Sequence, residues 1–472
     1  MPSASSSSSP GAPESKDFSA LPTVSAAATA LLDHRVEAPL VLDTEPPRTL
    51  RFRDHFALWM NLGVSLIGFS TAATVLGEKG SELSLAAAVT AIVAGTAVGT
   101  AMLGVAALIG ARTGAPAMAN LRGLFGTRLS YLPTVLNIVQ CIGWGVFELL
   151  TIAAGAQTVA HTTGYRWLFV LLAGVLTTAL TIWPLGSIAV LRRFVAGAVA
   201  VAMVYFTVQL GPQGVPDPGA GNWHGFLGAT DAMIAVSISF VPMAADYTRH
   251  SRTPRSSFWG SFSGYTVAQV WCYVLGLMAL LQSDGDPSRI FDSFLGVWAG
   301  WLFLLVLVLR ETDQSFANVY STAMSLQNLL PRVDRRVLSG GIGVLTTVLA
   351  LRIDRFTDTY SNFLGLIGSV FVPLLAVLAV DYFFGAGRHG WDLSERAPSR
   401  WLMLLPWVLG FAVYQFIAPT AVAGWWVDFW TSAQEALHFT PQEWTSASLF
   451  AFLVPALATW ALIPLTRRTA QV

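Results

Sequence analysis

The chain of 472 residues is far more apolar than an average soluble domain. Hydrophobic residues make up 54% of it, charged residues make up 11%, and the mean hydropathy is +0.58. Average soluble domains carry about 25% charged residues, so a chain of this composition has too little polar surface to stay dispersed in water. The composition predicts an all-α integral membrane protein. The lipid bilayer is thus the expected surroundings of the chain. The net charge is zero, which indicates no other partner, and we expect no binding of nucleic acid.

The first 50 residues differ from the rest of the chain. Residues 1–13 are nearly all Ser, Ala, Pro and Gly, and a Pro46-Pro47 pair closes the stretch. Such a segment cannot bury enough apolar surface to fold. We therefore predict a disordered cytoplasmic tail over residues 1–50.

Apolar segments follow in regular succession. A helical span needs about 20 residues, and twelve segments reach or approach that length, at 56–77, 84–110, 131–160, 167–186, 190–211, 226–246, 260–282, 294–325, 337–352, 358–384, 401–419 and 446–466. The sequence thus predicts twelve transmembrane helices. Residues 51–385 hold the first ten, and residues 386–472 hold the last two with a short C-terminus.

Basic residues in the loops predict the orientation, since cytoplasmic loops retain Lys and Arg. With the N-terminus inside, nineteen basic residues fall on the cytoplasmic side and five outside. This asymmetry favours an even number of spans, with both termini cytoplasmic and the protein in the cell membrane.

Two spans carry polar stripes at helical spacing, which places the members of each stripe on one helix face. The third has Gln140, Trp144, Glu148 and Thr151, and the eighth has Glu311, Gln314, Ser315 and Asn318. A carboxylate at bilayer depth costs roughly 2.5 to 3.5 kcal/mol, so Glu148 indicates a functional site. Arg310 and Glu311 point about 100° apart on a helix and need separate partners or a shared water; an ion pair of Glu148 with Arg310 is the structural alternative.

Helix-breaking residues mark the first and sixth spans. The first carries Gly63 and Gly68, and the sixth carries Ser239, Phe240 and Pro242. If spans one to five and six to ten are inverted repeats, these segments occupy equivalent positions and frame a site at the membrane midplane. The tenth span adds a small polar stripe that includes Asn362, although such a stripe is equally typical of helix packing.

Motifs of soluble enzymes are missing from the sequence. It contains no H-E-x-x-H, no G-x-x-x-x-G-K-[ST] and no G-x-S-x-G pattern, and each of these depends on that spacing for its chemistry. We therefore expect a transporter without a cofactor, with an intramembrane enzyme as a remote alternative. Cys141 and Cys272 lie inside spans and imply no disulfide framework.

Ordered motifs resemble a known family, the nucleobase:cation symporters of the purine-cytosine permease type. The matching stretches are Gly110–Pro116, Ser130–Pro133, Gln140 with Gly143-Trp144, Ala245–Arg249, Asn318–Ser321 and Val380–Phe383. They cover roughly residues 50 to 385. The resemblance implies twelve spans and the leucine-transporter fold, with five plus five inverted repeats and two extra helices.

The resemblance also implies roles for individual residues. Trp144 matches the third-helix tryptophan that stacks on the flat substrate ring in the similar hydantoin and cytosine permeases, and Asn318 matches the eighth-helix asparagine that hydrogen-bonds the ring. Glu148 lies one turn before the position of a substrate-binding glutamine, and Phe240 is the candidate second aromatic. Together with Gln140, Ser239, Gln314 and Asn362, these residues form the expected substrate site.

The coupling ion is where this sequence departs from the family pattern. Sodium-coupled relatives present two adjacent hydroxyl residues in the eighth span, which complete a site with backbone carbonyls of the first span, represented here by Gly68. This chain has Thr312-Asp313 at that place. An aspartate can ligate Na⁺ or carry a proton; we favour proton coupling and keep Na⁺ at Thr312 and Asp313 as the alternative metal.

The expected function is secondary active import of a planar nucleobase or related heterocycle by H⁺ or Na⁺ symport. An aminopyrimidine precursor of thiamine, a hydantoin or allantoin, and an amino acid carried by the same fold remain alternative substrates.

Overall fold

The structure is a computed structural model that describes residues 46–76, 83–182, 188–211, 221–283, 285–286, 289–330, 332–353, 356–442 and 444–469. These residues form helices and loops, and the only β-type pairing among them is two isolated bridges, Leu50 with Ser251 and Leu83 with Asn222. The predicted tail at 1–50 lies outside the described residues as far as residue 45. From Pro46 onward the chain lies on the helical body, where Leu50 N donates to His250 O at 2.9 Å.

Eighteen α-helices are present in the described part of the chain. They are α1 (Phe52–Gly63), α2 (Leu66–Thr71), α3 (Ala73–Leu76), α4 (Leu85–Thr113), α5 (Ala117–Phe125), α6 (Tyr131–Val159), α7 (Arg166–Ile182), α8 (Ile188–Leu210), α9 (Phe226–Ile238), α10 (Val241–Thr248), α11 (Pro254–Gln282), α12 (Ile290–Leu295), α13 (Gly300–Leu329), α14 (Arg335–Ala350), α15 (Phe356–Phe384), α16 (Leu404–Ile417), α17 (Gly424–Ala436) and α18 (Ala447–Thr469).

Each of the twelve predicted segments falls on one of these helices or on a broken pair. By length and hydropathy, six helices of the described chain are able to cross a membrane when α9 and α10 are counted as one, or seven if the bent pair α1 and α2–α3 is also one span. This confirms an α-helical membrane protein, while the count of twelve stays a prediction. Two starts differ by six residues. The seventh segment was expected from residue 260, but α11 begins at Pro254; the eighth was expected from residue 294, but α12 ends at Leu295 and α13 begins at Gly300.

Local sequence explains where the long helices begin and end. The Ser84 hydroxyl accepts from Ala87 N at 3.2 Å and caps the start of α4. Gly114 follows the last residue of α4 with φ of +68°, a conformation that glycine adopts without steric cost. Thr253 caps α11 in the same way, followed by Pro254 at the first helical position, where its missing N–H costs no hydrogen bond.

Buried carboxylates near the span ends hold separate segments together. Asp231 accepts from Ser446 Oγ at 2.6 Å and from Ala447 N at 2.8 Å, at the start of α18. Asp246 accepts from Ala117 N at 2.9 Å, at the start of α5. A carboxylate is stabilised there because the first N–H groups of a helix lack intrahelical partners.

Helix packing places the sites of the core. α1 and α4 pack on α11, α4 also packs on α9 and α10, α6 packs on α13, and α7 packs on α14. The last pair meets reciprocally: a Cβ at Gly174 would strike Thr347, and one at Gly343 would strike Thr178. Glycine is required at both positions because the partner threonine occupies the space of the missing side chain.

Candidate functional site

The first predicted span is broken in its middle. α1 ends at Gly63, and α2 begins at Leu66 after Val64 and Ser65, which have extended backbone conformations. The two halves bend by 60°. In a membrane such a break is tolerated only where protein or a water-lined cavity satisfies the exposed backbone groups.

Two adjacent residues of α13 satisfy both sides of this break. Glu311 accepts from Ser65 Oγ at 2.6 Å and from Leu66 N at 2.9 Å. Arg310 donates through Nη2 to the carbonyl oxygen of Asn61 and through Nε to Asn61 Oδ1 at 3.1 Å. The prediction that these two residues need separate partners is met by the two sides of one helix break.

A narrow cavity of about 30 Å³ lies beside the break, between α1, α2, α6, α9, α10, α11 and α13. The lining residues are Leu62, Gly63, Ser65, Ile67, Gly68, Thr71, Trp144, Glu148, Val236, Ser239, Phe240, Met243, Tyr265, Gln269, Tyr273 and Asn318. Six of them, Gly68, Trp144, Glu148, Ser239, Phe240 and Asn318, are site residues named from the sequence.

Trp144 provides the aromatic wall on α6. Its ring meets Tyr360 edge to face with centroids 5.9 Å apart, and it meets Phe363 in the same way at 5.4 Å. The Tyr360 hydroxyl lies 2.8 Å from Thr71 Oγ1, which ties this aromatic group to α2. The tryptophan ring is therefore held in place by α15 while it borders the cavity.

Glu148 and Asn318 provide the polar wall. Both side chains are about 95% buried, and the Glu148 carboxylate lies beside Ser315 and Asn318 of α13. Oε2 of Glu148 has no hydrogen-bond partner among the described residues. A buried polar atom without a partner costs about 1–3 kcal/mol or more if it is charged, so this oxygen marks a place where a ligand group or an ordered water would bind.

The sixth predicted span is interrupted less deeply than the first. α9 ends at Ile238 and α10 begins at Val241, but Ser239 and Phe240 keep right-handed helical angles. Ser239 Oγ turns back to Val236 O at 2.6 Å. The aromatic ring of Phe240 packs edge to face on Trp59, so it borders the cavity as part of an aromatic cluster.

Three residues named from the sequence do not line the cavity. Gln140 lies behind the wall, where its Nε2 donates to Ser239 O at 2.8 Å. The Thr312 hydroxyl donates to Leu309 O at 2.7 Å, and Asn362 Oδ1 accepts from Ala421 N at 3.2 Å. The side chains of Asp313 and Gln314 lie outside the described residues, so their expected roles stay predictions.

The seventh span contributes three lining residues that the sequence reasoning missed. Tyr265, Gln269 and Tyr273 follow i, i+4, i+8 spacing on α11, the same pattern that identified the stripe of Trp144 and Glu148. Gln269 Oε1 accepts from Ser237 Oγ at 2.8 Å, which connects α11 to the end of α9. Their helical spacing is the signal in the sequence that indicates this stripe.

No three His, Cys, Asp or Glu side chains come together in the described part of the chain. An alkali ion needs only oxygen ligands. Thr312 is the described candidate for such a ligand, since its hydroxyl oxygen keeps free lone pairs while its proton is donated to Leu309.

Comparison with known proteins places this geometry among transporters. Residues 44–394 match the model of a family described as permeases for cytosine/purines, uracil, thiamine and allantoin. A relative in Bacillus subtilis (strain 168), YxlA, carries the provisional name of a purine-cytosine permease. It is 27% identical over 365 residues, which cover 72% of this chain and 76% of the relative.

Solved structures with a similar fold are transporters as well. A closed conformation of Mhp1, a nucleobase-cation-symport-1 family transporter with bromovinylhydantoin bound, aligns with a TM-score of 0.68 at 18% identity over 92% of this chain and 96% of that one. Its inward-facing conformation gives 0.70 with the same identity and coverage. A manganese transporter of Eremococcus coleocola gives 0.59 at 12% identity over 90% and 99%.

Proposed function

Because the chain belongs to the family of permeases for cytosine/purines, uracil, thiamine and allantoin, we propose that it imports a planar nucleobase or related heterocycle across the cell membrane by cation symport. It is a membrane transporter and not an enzyme, as its relatives are permeases. The observation that carries the proposed substrate class is the cavity in which the Trp144 ring borders the same space as Glu148, whose Oε2 has no hydrogen-bond partner among the described residues.

The chemistry of this cavity suits a flat heterocycle. A planar base gains about 1–3 kcal/mol by stacking on an aromatic side chain, which is the role proposed for Trp144. The edge of the base carries N–H donors and ring acceptors. Ionised, Glu148 accepts from adjacent N–H groups, and protonated it donates to a ring nitrogen, while the Asn318 amide does both. Cytosine and purines fit this arrangement, as do an aminopyrimidine, a hydantoin and allantoin.

Gln140 and Ser239 support the site from behind in this proposal. Their hydrogen bond joins α6 to the interruption of the sixth span, so it would keep Trp144 and Phe240 at a fixed separation. Asn362 and Gln314 were expected to touch the substrate. Because Asn362 bonds to Ala421, in the segment before α17, we propose that it fastens this segment to α15 and does not bind the substrate.

The architecture proposed is twelve spans with both termini cytoplasmic, arranged as five plus five inverted repeats and two extra helices. The packing supports the repeat. In an inverted repeat, spans one to five correspond to spans six to ten, so the contact of the first span with the seventh (α1 on α11) should recur between the sixth and the second, and α9–α10 does pack on α4. Corresponding spans also pack on each other, α6 on α13 and α7 on α14. The reciprocal contacts of Gly174 and Gly343 have the two-fold form expected of such a repeat.

For the coupling ion we propose a proton, with Na⁺ as the alternative, handled near Thr312, Asp313 and the backbone at Gly68. Uptake measured at constant pH with sodium replaced by choline separates the two ions. Full activity in choline removes the sodium alternative, and complete loss of activity removes the proton.

Competition for uptake tests the proposed substrate class. Cells expressing the protein are given labelled cytosine or adenine in the presence of unlabelled purines, pyrimidines, an aminopyrimidine, allantoin and leucine. We expect planar heterocycles to compete and leucine to have no effect. Competition by leucine alone would favour the amino-acid alternative and reject the assignment.

A further inference from the structure

The break in the first span is braced from one neighbouring helix by two consecutive residues. Asn61, in the last turn of α1, bonds to Arg310, and Ser65 and Leu66, at the start of α2, bond to Glu311. Adjacent residues on a helix project about 100° apart and 1.5 Å along the axis. An Arg-Glu dipeptide therefore reaches the two sides of a gap only two residues long.

The charges of the two residues match the electrostatics of the helix ends that they bind. The carbonyl groups at the end of α1 carry partial negative charge, and the N–H groups at the start of α2 carry partial positive charge. Arg310 places a cation at the first and Glu311 an anion at the second. The reverse order, Glu-Arg, would place like charges together at both ends.

The segment that Glu311 holds is also the wall of the cavity. Four residues next to the Leu66–Glu311 hydrogen bond or within the following turn and a half of α2 border the cavity: Ser65, Ile67, Gly68 and Thr71. The position of this wall relative to Trp144 and Glu148 on α6 is therefore set through α13. Glu311 itself does not line the cavity, so its effect on a substrate is indirect.

We propose that Arg310 and Glu311 form a splint that fixes the broken first span to α13 and so positions the substrate cavity. They are positioning residues, and the splint rests on the proposed transport function only for its effect on substrate. Loss of Glu311 frees the start of α2, whereas loss of Arg310 frees the end of α1.

The protein contains its own reporter of this break. The Cys272 side chain packs against Gly68, where an added Cβ would lie 3.2 Å from Cys272 Cβ. Cys141, on α6, is also buried, and its Sγ lies 3.8 Å from Asn137 Oδ1 of the same helix. The ratio of alkylation rates at these two cysteines therefore separates local opening of the break from general loosening of the protein.

The experiment treats purified full-length protein with N-ethylmaleimide and measures alkylation of each cysteine by peptide mass spectrometry. Glu311→Ala removes two hydrogen bonds to a charged group, and we expect the ratio of Cys272 to Cys141 alkylation to rise at least about tenfold. Arg310→Ala should raise the same ratio. Glu311→Gln, which still accepts from Leu66 N and bonds to the Ser65 hydroxyl, should stay within about threefold of the wild type.

Two results would overturn the splint: an unchanged ratio in Glu311→Ala, or an equal rise at both cysteines. Because alkylation needs no substrate, this result stands even if no heterocycle is transported, which separates failure of the splint from failure of the proposed function. In the uptake assay, Glu311→Ala should raise the KM for substrate, whereas Glu311→Gln should have a KM close to that of the wild type. A Glu311→Gln variant as defective as Glu311→Ala, with wild-type alkylation, would instead assign Glu311 a role that needs its charge and reject simple positioning.

Discussion

Truncation of Trp144 to alanine tests the substrate site most sharply, because the structure supplies a matched control. Trp144 and Phe147 both lie on α6, both are buried, and both pack on Tyr360 and Phe363. Only Trp144 borders the cavity. Phe147→Ala therefore reproduces the loss of aromatic packing without removing the proposed stacking surface.

The magnitudes follow from these contacts. Each variant loses the aromatic pairs with Tyr360 and Phe363, worth about 0.5–1.5 kcal/mol apiece beyond area burial, so both should lower stability. Trp144→Ala additionally loses stacking on the base, worth about 1–3 kcal/mol, which corresponds to a rise in Kd of about 5- to 150-fold. Trp144→Phe keeps a ring face and should lose less.

The assay is binding of labelled cytosine or adenine to purified protein, with thermal unfolding measured on the same samples. We expect Trp144→Ala to weaken binding far more than Phe147→Ala, although both lower thermal stability. Equal weakening by the two variants would mean that Trp144 acts through packing, and the site assignment would be refuted.

Three further predictions concern Glu148 and two groups outside the cavity. Glu148→Gln replaces an acceptor-only carboxylate by a group that also donates, so the set of competing bases should change in the uptake assay; an identical competition profile would make Glu148 structural. Asp381→Asn breaks the ion pair of the buried Asp381 with Arg400, at 2.7 Å, and should lower the free energy of unfolding by about 3 kcal/mol. The control Asp292→Asn removes an exposed pair with Arg289 and should lower it by less than about 1 kcal/mol. Similar unfolding curves for the two variants would contradict this. His250 Nε2 accepts from Arg249 Nε, and its Nδ1 lies 3.2 Å from Pro47 O. Burial, followed by the Arg249 charge, lowers the pKa of His250, so the unfolded chain binds the proton more readily and stability should fall as pH drops below about 6.5. In thermal melts between pH 5 and 8, His250→Gln should flatten that dependence.

Helix positions and faces were accessible from the sequence because they follow from periodicity. Apolar runs located the helices, and 3.6-residue spacing put Trp144 and Glu148 on one side of α6, where the structure places them beside the cavity. The 100° rotation per residue also predicted that Arg310 and Glu311, although adjacent, have separate partners. These features depend only on a residue's own helix.

Contacts between helices were not accessible in the same way. Nothing in the sequence near Ser65 indicates that its partner is Glu311, 246 positions later. Gln140 shares a stripe with Trp144, yet it bonds to Ser239 O behind the wall, since the rotation of one helix against its neighbour depends on packing. The placement of Asn362 against Ala421 depends on the segment before α17, a helix that the hydropathy pattern did not predict.

Uptake into proteoliposomes tests the central claim most directly. Purified protein is reconstituted into vesicles, labelled cytosine, adenine, an aminopyrimidine or leucine is added outside, and a proton or sodium gradient is imposed in turn. We expect at least one planar heterocycle to accumulate above its external concentration under an inward cation gradient, and accumulation to collapse when the gradient is dissipated. Accumulation of leucine with none of the heterocycles, or heterocycle uptake that ignores every cation gradient, would contradict the account.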